Sequence, residues 1–347
     1  MEEVKNIIKV ASIYVATIVG AGFASGQEIM QFFSTYYEGG FYGIIFAGFL
    51  FSVIGCMVLN KVYTERIKNY DEFLFPMVGW FAGRIMEVVV SLFMVSLFCI
   101  MIAGGGNILS SKLEIGFSQG VIIMALICML IISADIKGVV MASTLVTPVL
   151  IAGIIGVGAY IIVFKDTSAF NAAAVLNKLT GNWLFSSLVY VSYNSIMSIV
   201  VMCSLLPYLK TRRVGAAGGI LGGFVLCLIA IILNTAIFTA YPEAQSQQLP
   251  VLNIVEKYSI IVSNFYSIIL FLAMVISAAT SGYCFIERVS SKTGMNIKLA
   301  AAVTCALAVP LSSYGFAGLI AAIYPVFGYI GMFMIFVIIV NGLRSSQ

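Results

Sequence analysis

The chain has 347 residues, 61% of them hydrophobic and 9% charged, with a mean hydropathy of +1.09. Soluble domains carry about 25% charged residues, so this composition excludes a soluble protein and predicts an all-α polytopic membrane protein. The net charge of +4 belongs to loop basics rather than to a nucleic-acid surface, and the lack of any histidine removes the commonest metal ligand and proton shuttle.

The first apolar span, about 6–35, holds the most informative segment, Gly20-Ala21-Gly22-Phe23-Ala24-Ser25-Gly26-Gln27-Glu28. Three glycines in seven residues loosen a helix. A carboxylate in hydrocarbon costs roughly 2.5–3.5 kcal/mol on insertion scales. Such a segment persists only where protein or a water-filled cavity surrounds it. The reading is a helix interrupted at mid-depth, the usual pointer to a transporter's binding site. An opened helix exposes N–H groups at one end and carbonyls at the other, which together suit a zwitterion. Glu28 then either takes and releases a proton or binds a cation or substrate ammonium, with Gln27 beside it.

Further spans follow at about 40–63, 82–111, 115–134, 138–164, 182–209, 214–240, 257–287, 297–311 and 315–342. The first is expected to serve as its own uncleaved signal. Gly104-Gly105-Gly106-Asn107 in the third span lets a neighbour approach closely. Gly215, Gly218, Gly219, Gly222 and Gly223 in the seventh give overlapping GxxxG spacings, a helix-contact pattern. Arg84 and Glu87, spaced i, i+3, read as a structural pair or an inner gate. Asp135, Lys137, Glu287 and Arg288 lie where gating charges could pair. The seven cysteines sit in apolar stretches without CxxC spacing and read as small core hydrophobes.

With the N-terminus placed in the cytoplasm, 14 of the 18 basic residues fall on inner segments. The four outside are Lys112, Lys165, Lys178 and Lys257. This bias supports ten helices with both ends cytoplasmic. Trp80 and Trp183 fall at the expected water–lipid boundaries. The spans divide into helices one to five (1–165), an outer connector (166–181) and helices six to ten (182–347). Five being odd, the second half is inverted. Tyr190-Val191-Ser192-Tyr193-Asn194-Ser195 is the expected counterpart break in helix six, completing the inverted-repeat signature.

Gly20-Ala21-Gly22 in an interrupted first helix resembles the amino acid–polyamine–cation superfamily, with its LeuT-type five-plus-five inverted repeat. The longer string to Glu28, with the ten-helix layout, looks like the YkvI-type amino-acid permeases of that superfamily. The resemblance implies a substrate between broken helices one and six. It would be faced by Gly20, Ala21, Gly22, Phe23, Ala24 and Ser25, and by Tyr190, Ser192, Tyr193 and Asn194. It also implies a sodium site from the carbonyls of Ala16 and Val19 with Ser277, Thr280 and Ser281 of helix eight. Hard cations want several oxygens, which this set supplies. Gln27-Glu28 departs from many relatives, which lack a carboxylate there.

The expected function is ion-coupled transport of an amino acid or related amine across the cytoplasmic membrane of a prokaryote. Sodium or protons would drive it, since no GxxxxGK[ST] motif is present. No enzymatic activity, cofactor, nucleic acid or obligate protein partner is expected beyond a possible sodium ion, the solute and lipid. The alternatives are a sensor subunit on the same fold, which binds without flux, and a channel.

Overall fold

The computed structural model describes residues 2–134, 136–164 and 181–344, and the described elements are helices. Helix one is in three pieces, α1 (Glu2–Ile18), α2 (Ala21–Ala24) and α3 (Gln27–Phe32). The first half continues with α4 (Glu38–Glu65), α5 (Tyr70–Leu113), α6 (Phe117–Ala134) and α7 (Ile136–Phe164). The second half holds α8 (Trp183–Cys203), α9 (Arg212–Phe238), the short α10 (Tyr241–Ala244) and α11 (Pro250–Tyr258), α12 (Ile260–Thr293), α13 (Ile297–Ser312) and α14 (Phe316–Arg344). Asn69, Asn182, Thr211, Ser259 and Asn296 each cap a helix by accepting a backbone N–H through the side chain.

These helices match the ten expected spans. Six of them are each long and apolar enough to cross a bilayer unaided, α4, α5, α8, α9, α12 and α14. Large apolar side chains such as Phe49, Leu130, Phe265 and Phe336 project outward, as a lipid-facing surface requires. The chain is a multi-pass membrane protein.

Packing repeats between the halves. α1 packs on α9 as α8 packs on α4, α7 lies against α12 as α14 lies against α5, and α6 meets α12 as α13 meets α5. Exchanging each helix of the first five with its counterpart in the second five maps each of these pairs onto its partner. α4 and α9 form a closely packed self-related pair, and glycine makes it possible. A Cβ on Gly219 would overlap the backbone of Gly55 and Cys56, and one on Gly223 would overlap that of Ser52. The glycine stripe of the seventh span is thus a helix-crossing surface. Gly104, Gly105 and Gly106 serve the same end, packed tightly against Met274 and Phe316, Met124, and Val121.

Two features differ from expectation. Helix three begins earlier, because residues 70–78 form their own helical piece before Gly79, whose φ of 78° breaks the winding. That piece turns Phe73 and Leu74 inward and Asp71 and Glu72 outward, and Trp80 and Phe81 just after it are 70% and 74% exposed. With its two acidic residues outward and Phe73 and Leu74 inward, it has the two-faced character of a helix lying on a surface rather than crossing one.

Helix six is not broken at 190–195. α8 winds continuously from Trp183 to Cys203. The polar residues bond back to the preceding turn instead of opening it. Ser192 Oγ donates to Leu188 O at 2.6 Å, Asn194 Nδ2 to Tyr190 O at 3.1 Å and Ser195 Oγ to Val191 O at 2.7 Å. The winding tightens only beyond Cys203, at a 3₁₀ turn over Leu206–Tyr208 that contains Pro207. Of the expected gating charges, Asp135 and the side chain of Lys137 lie outside the described residues, as does the connector up to residue 180. Arg84 and Glu87 form an ion pair at 2.8 Å with Arg84 half exposed, and Arg288 donates to Ser91 Oγ at 3.1 Å.

Candidate functional site

Helix one opens at two points. Regular winding would direct the Gly20 N–H to Ala16 O, but it goes to Ile18 O at 2.9 Å, and Gly20 is extended (φ −96°, ψ −173°). The Ala16 carbonyl is released from its helical partner. One turn of α2 follows, and a second break comes at Ser25-Gly26. Gly26 has φ 83°, a left-handed conformation that costs L side chains about 1–2 kcal/mol. Ser25 braces this corner by donating to Gly22 O at 2.7 Å and accepting from Gln27 N–H at 3.2 Å.

Neighbouring elements take up the loosened backbone. Val251 N–H, near the start of α11, donates to Ser25 O at 3.1 Å, and Tyr266 of α12 donates to Ala24 O at 2.7 Å. α11 therefore covers the break from the side where α3 leads to α4. Lys112 ties this cover down, reaching Glu256 at 3.3 Å and Asn264 at 2.8 Å.

Glu28 stands in the first turn of α3 and is 5% exposed. Its Oε2 accepts from Tyr193 OH at 2.7 Å. Its Oε1 lies where a Cβ on Gly22 would be, so the glycine makes room for the carboxylate. The ion pairs among the described residues are Lys61–Glu65, Arg84–Glu87 and Lys112–Glu256, none of which involves Glu28.

Beside this pair is a cavity of about 120 Å³. Of the residues expected to face a substrate, Gly20, Ala21, Gly22, Tyr193 and Asn194 line it, together with Glu28. The others are placed elsewhere. Phe23 and Tyr190 border a separate small hollow between α4 and α9. Ser192 and Ser25 spend their hydroxyls on backbone carbonyls. The Ala24 carbonyl is taken by Tyr266. Gln27 is buried outside the cavity wall, with its Oε1 lacking a partner among the described residues.

The sodium candidates are partly assembled. Ser277 lines the cavity together with the Thr17–Gly20 turn, next to the released Ala16 carbonyl. Ser281 is buried, and its hydroxyl donates to Ser277 O at 2.7 Å, leaving its lone pairs as acceptors. Thr280 is exposed, on a different face of α12 from Ser281. Of the set, the Ala16 carbonyl lacks its helical partner and Ser277 lines the cavity, whereas Thr280 lies on an exposed face.

The cavity also uses residues that the sequence did not single out. Phe93 of α5 and Tyr324 of α14 complete an aromatic wall with Tyr193. Leu97, Met101 and Met197 supply an apolar floor. Tyr324 precedes Pro325 within an apolar helix, a polar handle beside a helix disruptor, and that was the one available signal.

No family profile matches the chain. Its sequence is 27% identical to the uncharacterized membrane protein YkvI of Bacillus subtilis (strain 168) over 335 residues, 96% of this chain and 95% of that protein. It is 22% identical to the uncharacterized protein YyaD of the same organism, over 95% of each. Among solved structures, MhsT in complex with L-phenylalanine matches with a TM-score of 0.66 at 14% identity, covering 95% of this chain and 87% of that one. A Na⁺-coupled sialic acid symporter in its substrate-bound outward-open state matches at 0.61 and 14%, over 94% and 75%. Inward-facing Mhp1 matches at 0.59 and 13%, over 94% and 73%. The fold is LeuT-type, as the family resemblance implied, and the similarity to YkvI extends along nearly the whole chain.

Proposed function

We propose that this chain is a secondary active transporter that carries a small solute by alternating access, driven by a sodium or proton gradient. The observation that carries the reading is the solute-sized cavity at the helix-one break, where Glu28, Tyr193 and Asn194 meet within apolar walls. A break that opens onto a shaped polar hollow at mid-depth is how inverted-repeat transporters bind their cargo. The structural neighbours, among them a Na⁺-coupled sialic acid symporter, support the same reading. The solute is an amino acid or a related amine. Sodium, where it is the coupling ion, is held by the carbonyls of Ala16 and Val19 with oxygens of Ser277 and Ser281, while Thr280, exposed on another face of the helix, takes no part. Where protons couple, Glu28 carries them. The protein sits in the cytoplasmic membrane with both termini inside and does no enzymatic chemistry.

In the proposed cycle, the α11 cover and the inner ends of α1 and α8 open in alternation. Lys9 over the Tyr208 ring and Thr211 donating to Glu3 at 2.8 Å tie the start of α1 to the segment after α8 on the inner side.

The test is uptake into proteoliposomes of a panel of amino acids and amines, under sodium and proton gradients imposed separately. Concentrative uptake that follows one gradient supports the proposal. Binding without flux identifies a sensor, and flux that merely equilibrates identifies a channel.

A further inference from the structure

We infer that the cavity at the helix-one break selects a compact organic cation, an amine-bearing solute with no carboxylate of its own. The inference rests on the transport reading only in taking this cavity as the solute site.

Charge comes first. Glu28 is 5% exposed, and its only hydrogen bond among the described residues is the one from Tyr193 to Oε2. Oε1 is left to the space beside Gly22, on the cavity wall. A buried ionised carboxylate needs a counter-charge. The protein supplies none here, because the lining contains no lysine or arginine and the chain has no histidine. A ligand ammonium would supply it. A ligand carboxylate would find no basic side chain on the lining to pair with, and beside an ionised Glu28 it would be repelled.

The walls agree with the charge. The Tyr193 and Tyr324 rings lie 4.4 Å apart, and Phe93 stands edge-on to both at 6.3 Å. Aromatic faces gathered around a carboxylate attract organic cations through the ring quadrupoles. Size gives the last restriction. The cavity of about 120 Å³ is somewhat smaller than the ~150 Å³ cavity that takes up benzene, a size that suits a compact solute.

Three ligands on one short carbon skeleton separate the possibilities: ethylammonium, L-alanine and propionate. Each is titrated calorimetrically into the purified full-length protein in detergent at matched ionic strength. The expected result is binding of ethylammonium, binding of alanine weaker by at least about tenfold, and no binding of propionate, where tenfold is the resolvable step of ~1.4 kcal/mol. Glu28→Gln is expected to weaken ethylammonium by at least the same factor. Glu28→Asp keeps the charge and retains more affinity than Glu28→Gln. The wild-type order alone decides the matter should Glu28→Gln fail to fold. Alanine binding as tightly as ethylammonium, Glu28→Gln binding ethylammonium like the wild type, or silence from all three ligands would overturn the inference. Gradient-driven uptake of alanine without ethylammonium binding removes the amine class and leaves transport standing. Ethylammonium binding with no flux of any solute does the reverse.

Discussion

Helices one and six occupy equivalent places in the two halves and both carry polar residues at mid-span, yet only helix one opens. The difference lies in how each satisfies its backbone. Helix one offers Gly20, which takes an extended conformation, and Gly26, which takes a left-handed one, with no side chain able to hold the winding. Helix six offers Ser192, Asn194 and Ser195, whose side chains bond back to the turn before and leave the ladder intact. A polar stretch in an apolar helix is therefore ambiguous. Glycine with a corner-forming neighbour breaks a helix, and hydroxyls decorate one. The asymmetry also divides the labour, since helix one contributes backbone and Glu28 while helix six contributes a rigid Tyr193–Asn194 face.

The contrast can be broken by substitution. The largest effect is expected at the helix-one corner. Gly26→Val forces a branched side chain into φ 83° and against Val251 and Ile237, and stability should fall by ~2 kcal/mol or more, read as a lowered melting temperature in detergent. An unchanged melt would mean that the corner is not left-handed. Gly22→Ala comes next. Its Cβ meets the end of the Glu28 side chain, which can swing away, so solute flux should drop by about tenfold or more while the melt moves little. Loss of flux and fold together would make Gly22 a packing residue instead.

A third test addresses coupling. If uptake follows sodium, Ser277→Ala with Ser281→Ala should raise the half-saturating sodium concentration by roughly tenfold. An unmoved sodium curve would rule out the helix-eight hydroxyls as ligands. Tyr266→Phe removes the brace on the Ala24 carbonyl and should cost about 1 kcal/mol, measurable as a modest melt shift. The smallest effect is expected on helix six. Ser192→Ala with Ser195→Ala should change stability by under about 1 kcal/mol, because helical winding survives loss of a back-bonded hydroxyl. A large loss of stability or flux there would restore helix six as a second point of opening.

Much of this molecule was legible without coordinates. Apolar run lengths determined the ten-helix layout, because backbone polar groups in lipid must be satisfied within each helix. The glycines and Glu28 located the break in helix one, since that combination is intolerable in lipid. The tertiary structure alone decided the rest. It placed Glu28 on Tyr193 across 165 residues of sequence, brought Phe93 and Tyr324 from two further helices to the same wall, and kept helix six wound. Pairings between distant helices leave no periodic trace in a sequence, and whether a serine opens its helix or bonds back along it depends on the partners that packing brings within reach.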